Sequence, residues 1–355
     1  MIKHNAILEV NLKNLAFNYK KLSKIANQSI CAATIKADAY GIGVIKTFET
    51  LYKNKCRHFF VATTEEALEI RKKKLLANVY VLNGLESNEL SIFNDTNIIP
   101  IINDKDEYNF VIKKIKQYKK LKFGIHIDTG LNRLGLDIND LLKINSYHNK
   151  IHILLSHLSS ADEGKNNYNI LQNNKFKSAI NLKINAKYNS LSNSMGIILG
   201  NNFHHDLVRP GISLYGGHFN TKMKQIIKPV ICLKGKILQI KEISKNEFVG
   251  YNQTYKTNKK LKVAIVGIGY ADGISRVLSN KGNAYFKNKT FKIIGRVSMD
   301  TITVDISKND KLIKVGDYME IINHSNGIDK IANQCNTICD EILTSISKRV
   351  KRVYI

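Results

Sequence analysis

The stretch Ile30-Cys31-Ala32-Ala33-Thr34-Ile35-Lys36-Ala37-Asp38-Ala39-Tyr40-Gly41 sets a lysine at the end of a short apolar run, where small residues and a glycine turn begin. Such a run, bounded by turn residues, reads as a buried strand. A lysine ringed by apolar strand residues loses hydration. Its charged form is then disfavoured, and the amine is able to form a Schiff base with an aldehyde. Taken alone, a lysine at a strand end more often faces solvent, so the surrounding sequence has to decide.

Seven further apolar runs follow 29–35, at 58–63, 78–84, 97–102, 121–127, 151–157, 185–191 and 206–215, and they alternate with segments of helical period. Leu12, Leu15, Tyr19 and Leu22 share one face before the first run, and Thr63 to Glu66 followed by Ala67, Leu68 and Ile70 reads as a capping box opening a helix. Eight strands with intervening helices predict a (β/α)8 TIM-like barrel, a fold whose chemistry sits at the carboxyl ends of the strands. Past Pro229 the texture changes to alternation, as in Val230-Ile231-Cys232-Leu233, Lys262 to Val266 and Thr290 to Gly295, with turns at Gly250, Gly273 and Gly316. The expected division is a barrel over 1–225 and a mostly β C-terminal domain over 226–355, with the first ten or so residues free to join the latter. No low-complexity linker separates the two, so they should pack directly.

With 355 residues and 43% hydrophobic content the chain can bury a large core. Its formal net charge of +26 raises nucleic acid as a partner, but the lysines are spread over the whole length among many asparagines and isoleucines. That distribution reads as solvated faces, and no nucleic-acid partner is expected. No apolar run is long enough to span a membrane, and Met1-Ile2-Lys3-His4-Asn5 opens no secretory leader, so a cytoplasmic protein without a membrane partner is expected. The five cysteines, Cys31, Cys56, Cys232, Cys335 and Cys339, are odd in number and scattered, which suits reduced thiols and gives no zinc-site spacing. His204, His205 and Asp206 are neighbours, and neighbours on a strand point to opposite faces, so no metal is expected.

The segment Ile35-Lys36-Ala37-Asp38-Ala39-Tyr40-Gly41-Ile42-Gly43 closely resembles the cofactor-lysine signature of alanine racemases, fold-type III pyridoxal 5′-phosphate enzymes. Further family-like motifs follow in family order: 126–135 (His126-Ile127-Asp128-Thr129-Gly130-Leu131-Asn132-Arg133-Leu134-Gly135), Ser156-His157-Leu158, Ser192-Asn193-Ser194 and 208–216 (Val208-Arg209-Pro210-Gly211-Ile212 onward). In the second half Val249-Gly250-Tyr251, 269–276 with Tyr270, 295–300 with Met299, and the closing 349–354 continue the set. A set that covers nearly the whole chain in order is a specific signal, where any one string would not be.

The resemblance implies interconversion of L- and D-alanine, supplying D-alanine for peptidoglycan. Lys36 would carry the cofactor as an aldimine and exchange the Cα proton on one face, while Tyr270 of the partner subunit does so on the other. Tyrosine ordinarily titrates near 10, so its phenolate needs a supporting network, for which His157 and Arg209 are the family's candidates. Arg209 would face the pyridine nitrogen and, because arginine keeps its proton, leave the ring a weaker electron sink. Tyr40, Ser194 and the backbone at Gly211 and Ile212 would hold the phosphate. Arg133 would position the substrate carboxylate, with the Met299 backbone N–H as a second contact. The second-domain residues would come from a homodimer partner, so either site would need both subunits.

Two positions depart from the pattern. Where many members have a carbamylated lysine, this chain has His126, so a bound anion such as chloride or another hydrogen-bond acceptor is expected to orient Arg133. Where a tyrosine usually stands, this chain has Asp340, and a carboxylate beside a phosphate is repelled. Asp340 should swing away or widen the pocket, which leaves alanine against serine or another small amino acid open. Rival readings fit less well. A non-catalytic pyridoxal-phosphate carrier would be shorter and lack Tyr270. A barrel decarboxylase would need an acid where Arg209 stands. A dinucleotide site at Gly267-Ile268-Gly269 lacks its third glycine and its βαβ unit.

Overall fold

The structure is a computed structural model that describes residues 4–142, 150–182, 184–308 and 312–355; Met1 to Lys3, read above for the absence of a leader, lie outside the described residues. Strand β1 (Ala6–Val10) comes first, and the barrel strands follow. These are β2 (Ile30–Cys31), β3 (Ala33–Thr34), β4 (His58–Val61), β5 (Asn78–Val81), β6 (Ile98–Ile102), β7 (Phe123–His126), β8 (Ile151–Leu155), β9 (Tyr188–Ser190) and β10 (Leu207–Val208). Strands β3 to β9 pair in sequence order, all parallel. Ala32 divides β2 from β3, and β10 pairs with β2. The ring is closed by Ala32 N–H to Val208 O and Thr34 N–H to Pro210 O on one side, and by Asp206 N–H to Asn189 O and Arg209 N–H to Ser192 O on the other. Each of the eight apolar runs thus supplies one stave of a (β/α)8 barrel. Ala32, Phe60, Tyr80, Ile99, Ile153 and Leu207 fill its interior, with the Phe60 and Tyr80 rings stacked at 4.4 Å.

Helices cover the outside because their apolar residues recur at helical spacing. Helix Leu12–Ile25 buries Leu15, Tyr19 and Leu22, and its N-cap Asn11 accepts from Asn14 N–H. The Thr63 cap does accept from Glu66 N–H, but the Glu66 carboxylate does not return the bond as a capping box would. It accepts instead from Ala62 N–H at 2.7 Å and Ala37 N–H at 2.6 Å, and so ties this helix to the residue after Lys36.

The rest of the chain forms β11 (Ile231–Ile243), β12 (Phe248–Val249), β13 (Tyr255–Lys256), β14 (Leu261–Gly267), β15 (Asn283–Phe286), β16 (Lys289–Ile294), β17 (Ile302–Asp305), β18 (Tyr318–Ile322) and β19 (Lys351–Tyr354), with two short helices at Ile328–Cys335 and Cys339–Thr344. The order β14-β17-β16-β15-β18-β11 closes because β11 also pairs with β14, and the 13 residues of β11 are long enough to serve both edges. Strand β1 joins this sheet between β11 and β19, so the two ends of the described chain lie side by side. Among the described residues no helix is long and apolar enough to cross a membrane. His204 and His205 turn to separate partners, Ile197 O and Asn173 Oδ1.

At the amino ends of the barrel strands His58 Nδ1 and His152 Nδ1 meet the Tyr80 hydroxyl at 2.8 and 3.1 Å. Burial, with a further push from Lys187, holds each imidazole down at about 4, so both are neutral at pH 7. The unfolded chain binds these protons near pH 6.5, hence stability falls as the pH drops from 6.5 toward 4, by on the order of 2 kcal/mol per histidine at pH 5. Urea midpoints measured at pH 7 and pH 5 should differ accordingly; equal midpoints would show that the two rings already carry charge in the fold.

Candidate active site

The segment after β3 is held in an unusual backbone conformation. Ala37, Asp38, Ala39 and Tyr40 all have φ between 52 and 55°, a left-handed turn of four non-glycine residues that costs about 1–2 kcal/mol at each. Hydrogen bonds from distant residues hold it. Ala37 N–H reaches Glu66 and Val44 N–H reaches Asp38 Oδ1 at 2.7 Å; Arg352 donates twice to Gly41 O, at 2.7 and 3.1 Å, and Tyr354 Oη donates to Ile42 O at 3.1 Å. Gly43 is obligatory, since at φ +106° a Cβ there would collide with the Tyr354 hydroxyl. The outcome is a rigid mount for Lys36.

Lys36 opens onto a cavity of about 710 Å³ at the carboxyl ends of the barrel strands, which Tyr40, His126, Arg133, His157, Ser194 and Arg209 also line. Gly211, Ile212 and Asp340 share its wall. Burial, then the Arg133 charge, lowers the Lys36 amine below the ordinary lysine range, with Asp340 and Glu66 opposing. Burial likewise holds His157 well below the usual histidine range, reinforced by Arg209 and Arg133, so its ring is neutral at pH 7. Asn193 Nδ2 stands 3.4 Å from His157 Nε2.

Arg209 is 6% exposed. It donates to Ser190 Oγ, Ser156 O and, at 3.4 Å, Leu191 O, and lies over the Phe60 ring. Burial pushes it down to about 9, still well above neutral, and among the described residues no carboxylate pairs with it. A buried cation without a counter-ion at the edge of a cavity is costly unless a ligand supplies an acceptor.

Another part of the cavity wall is a donor cradle. Ser194 Oγ accepts from Gly211 N–H at 2.9 Å and Ser213 N–H at 3.3 Å, which leaves its own hydrogen to donate. A Cβ on Gly211 would collide with Tyr40 Oη, so only glycine lets the backbone come this close. Burial raises the Tyr40 phenol beyond its ordinary value, so it is a neutral donor. Asp340 has not swung away. It faces the same cavity, its carboxyl raised by burial and its Oδ2 accepting weakly from Cys339 Sγ at 3.7 Å.

Two of the residues singled out from sequence are not brought into this cavity. Tyr270, 44% exposed, and Met299, 52% exposed, sit together on the β part of the chain, joined by Ala271 N–H to Met299 O and Tyr270 N–H to Ser298 O. The buried Asp272 carboxylate supports their turn through Gly269 N–H at 2.8 Å and a two-pronged bond from Arg349. Of the residues that matter to the geometry, Asn103 and Asn193 carried no assigned role in the sequence, and Glu66 was read only as part of a capping box. Asn193 was within a quoted motif, whereas Asn103 and the Glu66 carboxylate act across the fold.

Comparison with known proteins agrees with this geometry. The family described as "Alanine racemase, N-terminal domain" matches residues 10–218, and that described as "Alanine racemase, C-terminal domain" matches 230–354. The chain is 35% identical over 359 residues to an alanine racemase of Rickettsia canadensis (strain McKiel), covering 98% of each. It is 36% identical over 370 residues to one of Brucella abortus (strain 2308), covering 98% of this chain and 93% of the relative. The crystal structure of alanine racemase from Bartonella henselae with covalently bound pyridoxal phosphate superposes with a TM-score of 0.92 at 35% identity, covering 99% of this chain and 100% of that one.

Proposed function

The chain belongs to the alanine racemase family, and from that premise we propose that it interconverts L- and D-alanine by a two-base mechanism, with pyridoxal 5′-phosphate on Lys36 and Tyr270 of the partner subunit as the second base. The cavity fits the cofactor: the Ser194 and Tyr40 hydroxyls and the Ile212 N–H, approachable because Gly211 has no side chain, suit its phosphate, and the uncountered Arg209 suits an acceptor nitrogen on its ring. When bound, the cofactor supplies an aldehyde for the amine and a conjugated ring that withdraws electrons from the substrate Cα. The observation that carries the reading is an amine held below its ordinary pKa on a rigid turn, in a cavity that also presents this cradle and cation.

In this reading the barrel, running to about residue 225 once β1 has joined the other sheet, holds cofactor and substrate, and the part over 226–355 hands Tyr270 and the Met299 N–H to the neighbouring subunit. Lys36 takes or returns the Cα proton from one side, which its weakened hold on a proton suits. The partner's Tyr270 serves the other side, helped by the neutral His157 and the cationic Arg209. Arg209, unable to release its proton at pH 7, keeps charge out of the ring and favours simple reprotonation over side reactions. Arg133 holds the substrate carboxylate. The five thiols are unpaired, which suits action on free amino acids in a reducing cytoplasm, where the product serves peptidoglycan.

The reading is tested by loading the protein with pyridoxal phosphate and following L-alanine by circular dichroism. Optical activity should decay to zero; undiminished rotation with cofactor bound would leave only a carrier. L-serine belongs in the same experiment, because the Asp340 carboxylate on the cavity wall is an acceptor that a hydroxyl could use. Asp340 also stands near enough to Tyr40 for its charge to be felt there, close to the cradle. Asp340→Asn should therefore tighten pyridoxal phosphate about tenfold, a change of about 1.4 kcal/mol, in an absorbance titration. Unchanged affinity would place the carboxyl in its neutral form.

A further inference from the structure

We infer that in the cofactor-loaded enzyme the Nε2 lone pair of His126, free in this structure, takes a guanidinium N–H of Arg133 and so positions it, in a ring tautomer imposed by Asn103. The inference deepens the reading of Arg133 as the substrate-carboxylate group and rests on it. Asn103 Nδ2 donates to Leu82 O at 3.0 Å and Ile101 O at 2.9 Å, which uses both amide hydrogens and identifies the remaining atom as the oxygen. That oxygen lies 2.9 Å from His126 Nδ1, so Nδ1 carries the hydrogen. In a neutral imidazole the other nitrogen is then an acceptor.

The ring is neutral at pH 7. Burial, Arg209 and Arg133 hold it at about 4, with Asp128 opposing. Asp128 itself is engaged, its Oδ1 accepting from Gly130 and Asn132 N–H at 2.8 and 3.1 Å. Among the described residues His126 Nε2 has no hydrogen-bond partner and Arg133 has no ion pair. One wall of the cavity thus carries an acceptor lacking a donor and a donor lacking an acceptor.

The backbone ties the two together. The loop that bears Arg133 returns to the barrel through Gly135 N–H to Asn103 O at 3.1 Å and Leu136 N–H to His126 O at 2.8 Å. Asn103 and His126 therefore anchor both the ring and the loop. Gly135, at φ +122° and with a would-be Cβ only 2.6 Å from Asp128 N, allows the tight return. A neutral acceptor needs no bound anion, so this arrangement dispenses with chloride at that spot.

The test uses the holoenzyme of the wild type and of His126→Phe, His126→Gln, Asn103→Leu and Arg133→Ala. His126→Phe should raise KM for L-alanine about tenfold with kcat changed less than about threefold, since a binding orientation is lost and not a reacting group. His126→Gln, whose side-chain oxygen can accept, should recover most of the loss. Nitrogen-15 spectra of histidine-labelled protein at pH 7 should show His126 protonated at Nδ1 and bare at Nε2, and Asn103→Leu should scramble that tautomer. KM should not change when chloride is replaced by gluconate at equal ionic strength.

A proton found on Nε2, a KM that follows chloride, or a glutamine variant as impaired as the phenylalanine one would overturn the inference. Arg133→Ala separates the two levels. If that variant leaves KM for L-alanine untouched, the carboxylate reading of Arg133 fails, while the nitrogen spectra still report on the ring.

Discussion

Lys36→Ala, loaded with pyridoxal phosphate, is expected to lose racemisation by at least about 10⁴-fold, because one side chain is both the covalent anchor and the proton carrier on its side. The visible absorbance of lysine-bound cofactor should vanish with it, although the phosphate cradle at Ser194, Tyr40 and Gly211 is intact and should still bind the cofactor reversibly. A small primary amine added to the medium should restore part of the activity, since it can replace the missing group but not its rigid mount. Folding should hardly change, because the turn is held by backbone bonds to Glu66, Asp38, Arg352 and Tyr354 and not by the lysine side chain. A variant that still racemises near the native rate would remove Lys36 from the chemistry altogether.

Co-expression of Lys36→Ala with Tyr270→Phe should regain activity that neither variant has alone. If each cavity draws its phenol from the other subunit, a mixed dimer holds one doubly defective site and one native site. With random pairing half the dimers are mixed, so the preparation should reach about a quarter of native activity. The exposed position of Tyr270, outside its own chain's cavity, is what motivates the expectation. Were both groups to serve the same chain's site, every site in the mixture would lack one of them and the mixture would stay inactive.

The barrel was readable because parallel strands buried on both faces appear as unbroken apolar runs, and all eight runs proved to be staves. The closing stave, Leu207–Val208, is only two residues long, yet the run around it was visible since the flanking residues are buried as well. The lysine was legible as a motif, but its left-handed turn was not. Ala-Asp-Ala-Tyr contains no glycine to announce positive φ, and the residues that impose it, Arg352 and Tyr354, lie more than 300 positions away. Glu66 looked like a capping residue because its spacing fits one, whereas its carboxylate serves Ala37 and Ala62. His126 stood out by type, but its tautomer depends on Asn103, 23 positions away just past the end of another strand, which no local pattern discloses.

The latch formed by Arg352 and Tyr354 has a consequence for the order of assembly. These residues are made more than 300 positions after the loop they clamp. A nascent chain can thus raise most of the barrel wall before the bend after Lys36 has its outside support, and that bend is uphill on its own. Cofactor capture should accordingly wait until the segment bearing Arg352 and Tyr354 has been made and has docked on the bend.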